Sequence, residues 1–389
     1  MCKDWSLVFK KNIAVLLQRL LYWIPLKRNR IMFYAHNRQG MVDNPAFLLR
    51  YLQQYFPDHY ELLWITTAPD SCTPLPNVKI VGRRSLQYFR YYIRTKIYIS
   101  NDMIDEWLIK KKGQIYLTTW HGGGAYKQIG KQVCSGDSEF IKNYDKLYHR
   151  LDYFVASCKK SAEIFQSAME LPDTIFLPCG SPRNDMFFHD TISQAAKVRN
   201  FYHISSSQKI LLYAPSFFQA TVSQDNMENF PKDQLLKTLS GLEEITGESW
   251  ICLARHHYFT SIANDIFDHK ILNGNLYHEM QDLLCASDML VTDFSSSIWD
   301  MGLQHKPVIV LQDAITKYEE TDRGFFIAPK MWPYLQAKNI EDIVSVYKNF
   351  RQNEYLHDLD IHYSEMGSYE NGTACKQLAA LLQKLTQGS

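Results

Sequence analysis

Short runs of β-branched and aromatic residues, apolar on both faces, alternate with helix-length segments along nearly the whole chain. In the first half these runs fall at 31–35, 62–66, 78–81, 97–100, 115–119 and 154–157. In the second half they fall at 210–214, 250–254, 270–272, 289–292 and 308–311. A strand apolar on both faces needs helices above and below it, so the runs predict parallel sheets of the α/β class. The pattern occurs twice, divided by a polar stretch at 205–208. It therefore predicts two doubly wound, Rossmann-type domains, over 31–204 and 205–370, that face a central cleft, with a C-terminal helix in 371–389. Doubly wound sheets bind ligands at the carboxyl ends of their strands, so chemistry is expected just after each run.

Composition narrows the class. At 389 residues, with 46% hydrophobic and 21% charged, the chain is neither disordered nor fibrous, and its length suits two or three domains. Lysine and arginine (42) nearly balance aspartate and glutamate (41), giving a formal charge of +1, so a dedicated nucleic-acid binder is disfavoured. The eight cysteines (2, 72, 134, 158, 179, 252, 285 and 375) are dispersed without CxxC spacing or a Cys/His cluster. They read as buried thiols of a reducing compartment rather than zinc ligands or a disulfide framework.

The first 30 residues stand apart. They hold seven basic residues and one acidic, with Trp5, Phe9 and an aliphatic run interrupted by Lys10, Lys11, Gln18 and Arg19. No stretch reaches the ~18 uninterrupted apolar residues of a spanning helix. Two readings fit: an amphipathic helix in an anionic membrane interface, or a helix packed on the protein's own body. The arginines at 83, 84, 90 and 94 form either an extension of that patch or an exposed helix face.

Three strand ends carry candidate chemistry. Thr119 is followed by Trp120, His121, Gly122, Gly123, Gly124, Ala125, Tyr126 and Lys127. This joins a titratable imidazole to a backbone that a ligand can approach closely, with a lysine near enough to meet a phosphate. Thr292 is followed by Asp293, Phe294, Ser295, Ser296, Ser297 and, after one turn, Asp300. Serines that cap a helix leave amide groups free for a phosphate or pyrophosphate. Ala254 is followed by Arg255, His256 and His257, which suit stabilisation of a phosphoryl group. Weaker elements are the turns at Ser216 and at Gly180–Asp185, in which Arg183 is the residue of interest.

In chain order, the blocks TWHGGGAYKQIG, GSPRND, LLYAPS, ARHHY, SDMLVTDFSSSIWD with its trailing KPVIV, RGFF and ENGTA resemble the CDP-glycerol glycerophosphotransferase family. These are the teichoic-acid primases and polymerases of Gram-positive bacteria and their capsule-making relatives. The resemblance runs from Thr119 to Ala374, and its most specific block is SDMLVTDFSS. It implies a GT-B-like fold and a peripheral place on the cytoplasmic face of the plasma membrane. It also implies transfer of glycerol phosphate, or a related alditol phosphate such as ribitol phosphate, from a CDP-alditol to an undecaprenyl-pyrophosphate-linked glycan, with release of CMP. By motif, His121 matches the family's base, His257 with Arg255 its Arg-x-His block, and Ser295 and Ser296 the serines beside the pyrophosphate. The sequence departs from the common pattern where GGGAY replaces Gly-Thr-Pro-Leu-Lys, where Phe294 stands for tyrosine, and where YAPSFF lacks an arginine.

The expected machinery is therefore His121, His257 and Arg255 as catalytic residues. Gly122, Gly123, Lys127, Arg183, Ser216, Asp293, Ser295, Ser296, Ser297 and Asp300 are expected around the substrate. The sequence suggests no carboxylate cluster for a metal, so neither a metal nor another cofactor is expected. The alternative is a GT-B glycosyltransferase using a nucleotide sugar. It predicts a ribose-gripping glutamate on the helix that instead reads SSSIWDMGLQ. A catalytically idle assembly factor would make all the cleft motifs relics.

Overall fold

The computed structural model describes residues 5–35, 40–102, 104–133, 144, 148–216, 230–256, 267–313, 318 and 323–387. Among them, thirteen strands form two separate all-parallel sheets. The first contains β1 (Lys27–Tyr34), β2 (Glu61–Thr66), β3 (Val78–Gly82), β4 (Thr95–Ser100), β5 (Ile115–Thr118), β6 (Tyr153–Ala156) and β7 (Ile175–Pro178). Its spatial order is β3-β2-β1-β4-β5-β6-β7. The second contains β8 (Lys209–Tyr213), β9 (Trp250–Ala254), β10 (Ile271–Asn273), β11 (Met289–Thr292), β12 (Val308–Leu311) and β13 (Leu335–Ala337), in the order β10-β9-β8-β11-β12-β13. Both sheets thus share the doubly wound order, with direction reversing between β1 and β4 in one and between β8 and β11 in the other. This is the α/β, GT-B-like architecture expected from the sequence.

The two-faced burial of the strands is visible along β1. Ile31 and Phe33 join a core cluster with Leu48, Leu52, Leu378 and Leu382 on one side of the sheet. Met32 and Tyr34 join Tyr88, Tyr92 and Tyr98 on the other. β8 repeats the division, with Ile210 and Leu212 on one face and Leu211 and Tyr213 on the other. The strands that the sequence pattern does not announce, β7 and β13, lie at sheet edges. β7 ends in Pro178 and β13 has only three residues, so neither carries a two-faced apolar run.

The flanking helices are α1 (Trp5–Leu20), α2 (Asp43–Tyr55), α3 (Leu86–Tyr92), α4 (Lys159–Ala168), α5 (Thr191–Tyr202) and α6 (Lys232–Thr246). They continue with α7 (Met280–Ala286), α8 (Ser297–Gly302), α9 (Ile343–Lys348), α10 (Gln352–Met366) and α11 (Ala374–Gln387). The C-terminal α11 returns to the first sheet, burying Leu378, Ala379 and Leu382 in the cluster of Ile31 and Phe33. Its start is held by Asp185, whose carboxylate accepts from the amides of Ala374 (2.9 Å) and Cys375 (2.8 Å). All described cysteines (72, 158, 179, 252, 285 and 375) are buried and unpaired.

α1 follows the second of the two sequence readings along one face, which packs on the protein's own body. Gln18 is 3% exposed, donates to the Trp107 carbonyl (3.0 Å) and accepts from the Ile109 amide (2.8 Å), so one face is docked on the body. The opposite side presents Ile13, Leu16, Leu20 and the following Trp23, which is 87% exposed. Among the described residues, no helix is long and apolar enough to cross a membrane.

Candidate active site

The loops after β4 and β5 and the start of α2 converge at the switch point of the first sheet. Nδ1 of His121 lies 2.9 Å from the carbonyl oxygen of Asn101. A carbonyl can only accept, so Nδ1 carries the hydrogen and Nε2 keeps its lone pair. His121 as a residue is partly open to solvent, yet the protein packed around its ring desolvates the charged form and holds its pKa below the usual imidazole value. Trp120 stacks on the ring at 4.6 Å between centroids. Its backbone is in the left-handed region (φ 53°), an uncommon place for a bulky residue. The side-chain amide of Asn44 braces that turn by donating to the carbonyls of Thr119 (3.3 Å) and Trp120 (3.0 Å).

From His121 the chain crosses to the second sheet. A Cβ on Gly122 would lie 3.1 Å from Cβ of Ser296, and one on Gly123 would overlap the indole of Trp299. Tyr126 is then buried among residues of the second sheet's core, with its hydroxyl 2.7 Å from Nε2 of His362 and 3.0 Å from the Tyr334 hydroxyl. Lys127 forms an antiparallel bridge with Phe325. Neighbouring amides complete the junction, from Gln128 to the Gly324 carbonyl (2.9 Å) and from Phe326 to the Tyr126 carbonyl (2.8 Å). Glycines after the histidine thus serve close packing between the two motifs.

At the switch point of the second sheet, Asp293 accepts from the amides of Ser216 (2.8 and 2.9 Å) and Phe294 (2.5 Å), which ties the ends of β8 and β11 together. Nζ of Lys127 donates to Oγ of Ser216 (3.2 Å) and lies 5.0 Å from the centre of the Tyr318 ring. Ser297 donates to Oγ of Ser295 through its hydroxyl (2.9 Å) and its amide (3.3 Å). Ser296, the residue preceding α8, makes no side-chain capping bond, so its hydroxyl is not spent on the helix as the sequence reading supposed. Arg255 donates to the carbonyls of Tyr277 (2.6 Å) and His278 (2.9 Å). His256 is turned inward, its Nε2 without a hydrogen-bond partner, and burial pushes its pKa down to about 4. His257 lies outside the described residues.

Arg183 and Asp300 sit deeper, at 7% and 1% exposure. The guanidinium donates through Nη1 to Asp43 (2.9 Å) and to the His121 carbonyl (3.1 Å), and through Nη2 to Asp300 (2.7 Å). It therefore joins α2 of the first sheet to α8 of the second. Asp300 also accepts from Asn184 (2.9 Å) and Gln281 (2.9 Å). Glu370, from the ENGTA block, accepts from Ser181 at its amide and hydroxyl (2.9 Å each) and from Asn184 (3.1 Å), and burial raises its pKa to about 7. Glu279 is raised to about 7 as well, by burial first, and its carboxyl accepts from the Asp43 amide (3.3 Å). Sequence reasoning missed Asp43, Asn44, Asn101, Gln281 and Glu279. The one available signal was Asp43-Asn44-Pro45 at a helix start, which reads as ordinary capping.

The arrangement unites a neutral imidazole with an open acceptor nitrogen, a wall of serine hydroxyls and a lysine. Such a set can take a proton from a hydroxyl and hold a phosphate beside it.

A family model described as CDP-glycerol:poly(glycerophosphate) glycerophosphotransferase matches residues 16–384. The teichoic acid poly(glycerol phosphate) polymerase of Staphylococcus epidermidis is 26% identical over 376 residues, covering 92% of this chain and 51% of that protein. The chain thus spans about half the length of that polymerase. The teichoic acid glycerol-phosphate transferase of Staphylococcus aureus is 26% identical over 378 residues, covering 94% of this chain and 95% of the relative. The teichoic acid ribitol-phosphate primase of Bacillus spizizenii is 28% identical over 204 residues, 51% of each chain. Among solved structures, the wall teichoic acid polymerase TagF shares the fold with a TM-score of 0.86 at 24% identity, covering 97% of this chain and 94% of that one.

Proposed function

The chain belongs to the CDP-glycerol:poly(glycerophosphate) glycerophosphotransferase family, and we propose that it transfers an alditol phosphate from CDP-glycerol or CDP-ribitol in teichoic-acid or capsular polymer synthesis. The acceptor in this reading is a hydroxyl of an undecaprenyl-pyrophosphate-linked glycan. Its oxygen attacks the phosphorus that bears the alditol, the pyrophosphate bond breaks, CMP leaves, and the hydroxyl proton passes to Nε2 of His121. The observation that carries the reading is the bond from His121 Nδ1 to the Asn101 carbonyl, which leaves Nε2 as the acceptor, next in sequence to the Gly122 that packs against Ser296.

In phosphoryl transfer the protein supplies chiefly position and charge. The pyrophosphate is assigned to the Ser295–Ser297 turn, Lys127 and Ser216, with Arg255 and His257 meeting charge on the transferred group. Arg183 and Asp300 hold the two sheets together around it. Among the described residues, no group of three or more His, Cys, Asp or Glu side chains is placed to hold a metal ion. We assign charge compensation to the protein's own cations and propose that no cofactor is needed. The exposed apolar side of α1, with Arg19, Lys27 and Arg28 exposed nearby, is assigned to the anionic cytoplasmic membrane surface.

The test is CMP release from CDP-glycerol and, separately, CDP-ribitol, with lipid-linked acceptor, membranes and EDTA present. Release from one donor, lost in His121→Ala, supports the reading and fixes the alditol. Silence with both donors alongside turnover of a UDP-sugar would replace it with glycosyl transfer.

A further inference from the structure

Asp43 stands behind both ends of His121. Its Oδ2 accepts from the side-chain amide of Asn101 (2.8 Å), the residue whose carbonyl receives the imidazole Nδ1–H. Its Oδ1 accepts from Nη1 of Arg183 (2.9 Å), which also donates to the His121 carbonyl (3.1 Å). Ring and backbone of the histidine are thus each one residue removed from the same buried carboxylate. The backbone at Asp43 is left-handed (φ 65°), and the adjacent Asn44 braces another left-handed residue, Trp120 (φ 53°). Such strain persists only where the surroundings over-determine it. A carboxylate needed merely to favour the start of α2 would not require this geometry, since an extended residue before the helix caps it without strain.

We propose that Asp43 is a positioning residue for the transfer reaction: through Asn101 and Arg183 it fixes the Nδ1–H tautomer of His121 and aims Nε2 at the acceptor. The inference rests on the reading of His121 as the base. It adds a requirement that the base reading lacks, because an imidazole free to exchange tautomers would present a hydrogen at Nε2 for part of the time and could not accept there. Partners that fix the tautomer of a metal-ligating imidazole are typically worth about 10- to 100-fold, and an effect of that order is expected for Asp43.

The experiment uses the full chain, with 15N-histidine labelling and His121→Gln to assign the His121 signals. Asn101→Ala removes the amide that Asp43 grips but spares the carbonyl and the buried ion pair. Asp43→Asn changes the hub itself. The native protein should show Nδ1–H at His121. Both variants, folded by near-ultraviolet circular dichroism, should show mixed tautomers, with kcat lowered about 10- to 100-fold and KM for CDP-glycerol within about twofold. If Asp43→Asn proves unfolded, Asn101→Ala decides alone. A folded Asn101→Ala with the native tautomer and native kcat overturns the proposal. Retained turnover in His121→Ala would instead overturn the base reading, while the tautomer measurement still reports whether Asp43 orders the ring.

Discussion

Gly123 lies where the indole of Trp299 leaves no room for a side chain: a Cβ added to the glycine would overlap the ring. The loop after the candidate base and the helix after the serine turn are therefore packed backbone to side chain. Gly123→Ala should force Trp299 or the loop aside, costing about 1–3 kcal/mol in chemical denaturation. Gly122→Ala, whose Cβ would meet Ser296 at 3.1 Å, should spare stability by comparison but raise KM for the CDP-alditol. Equal stability loss in both would contradict this division.

His121→Ala should lower turnover by about 10²–10⁴-fold, the usual contribution of a general base. CDP binding by calorimetry should stay nearly unchanged. The native enzyme should lose activity as pH falls, because protonation of Nε2 removes the acceptor. Burial lowers the His121 pKa, so that acid limb should lie below the ordinary imidazole range. An acid limb above that range would oppose the assignment.

Truncating Arg183 should be severe. Arg183→Ala leaves Asp43 and Asp300 buried without their cation, and breaking such a pair typically costs about 3–5 kcal/mol. Urea unfolding of this variant, compared with the exposed control Arg84→Ala, measures it. A cost like the control's would show that the guanidinium does not hold the sheets together.

Two buried groups should pull stability in opposite directions between about pH 4 and 7. Burial lowers the pKa of His362 to about 4, against ~6.5 unfolded, so its contribution is complete above the unfolded value and is lost as pH drops towards 4. Burial raises Glu370 to about 7, against ~4.3 unfolded, so its contribution is complete at low pH and is lost as pH rises through 7. In denaturation between about pH 4 and 7, stability should rise less steeply with pH in His362→Gln than in the native protein, and more steeply in Glu370→Gln. Unchanged slopes would assign the pH dependence to other groups.

Replacing Leu16, Leu20 and Trp23 with serine should reduce sedimentation with phosphatidylglycerol vesicles several-fold without lowering Tm, since these side chains are exposed. Leu21 and Ile24 pack against the first sheet's core, so serine there should lower Tm. Undiminished vesicle binding in the triple variant would remove α1 as the membrane contact.

The sequence made the strands legible wherever both faces are buried, as at Ile31–Tyr34 and Ile210–Leu212, because burial on two sides leaves an unbroken apolar run. Edges such as β13 have no such requirement and escaped notice. His121 and the serines were legible because a strand end followed by glycines or serines is itself a signal. Asp43, Asn101 and Gln281 were not, since their roles arise from contacts between residues 58 and 19 positions apart, Asp43 with Asn101 and Gln281 with Asp300. Arg183 was singled out only as the residue of interest in its turn. Only the folded chain reveals that its terminal nitrogens are engaged by carboxylates from both sheets.

Tyr126, between β5 and β6 of the first sheet, is embedded in the core of the second, while α11, which follows the second, is embedded in the core of the first. Each half therefore finishes its interior with a piece borrowed from the other. Anyone recombining such enzymes to exchange donor preference cannot cut between the sheets, at the polar stretch before β8, and expect sound modules. A graft of the second half would need a Tyr126 loop matched to its new interior. The C-terminal helix would have to stay with the first half, even though that places two crossover points in the gene instead of one.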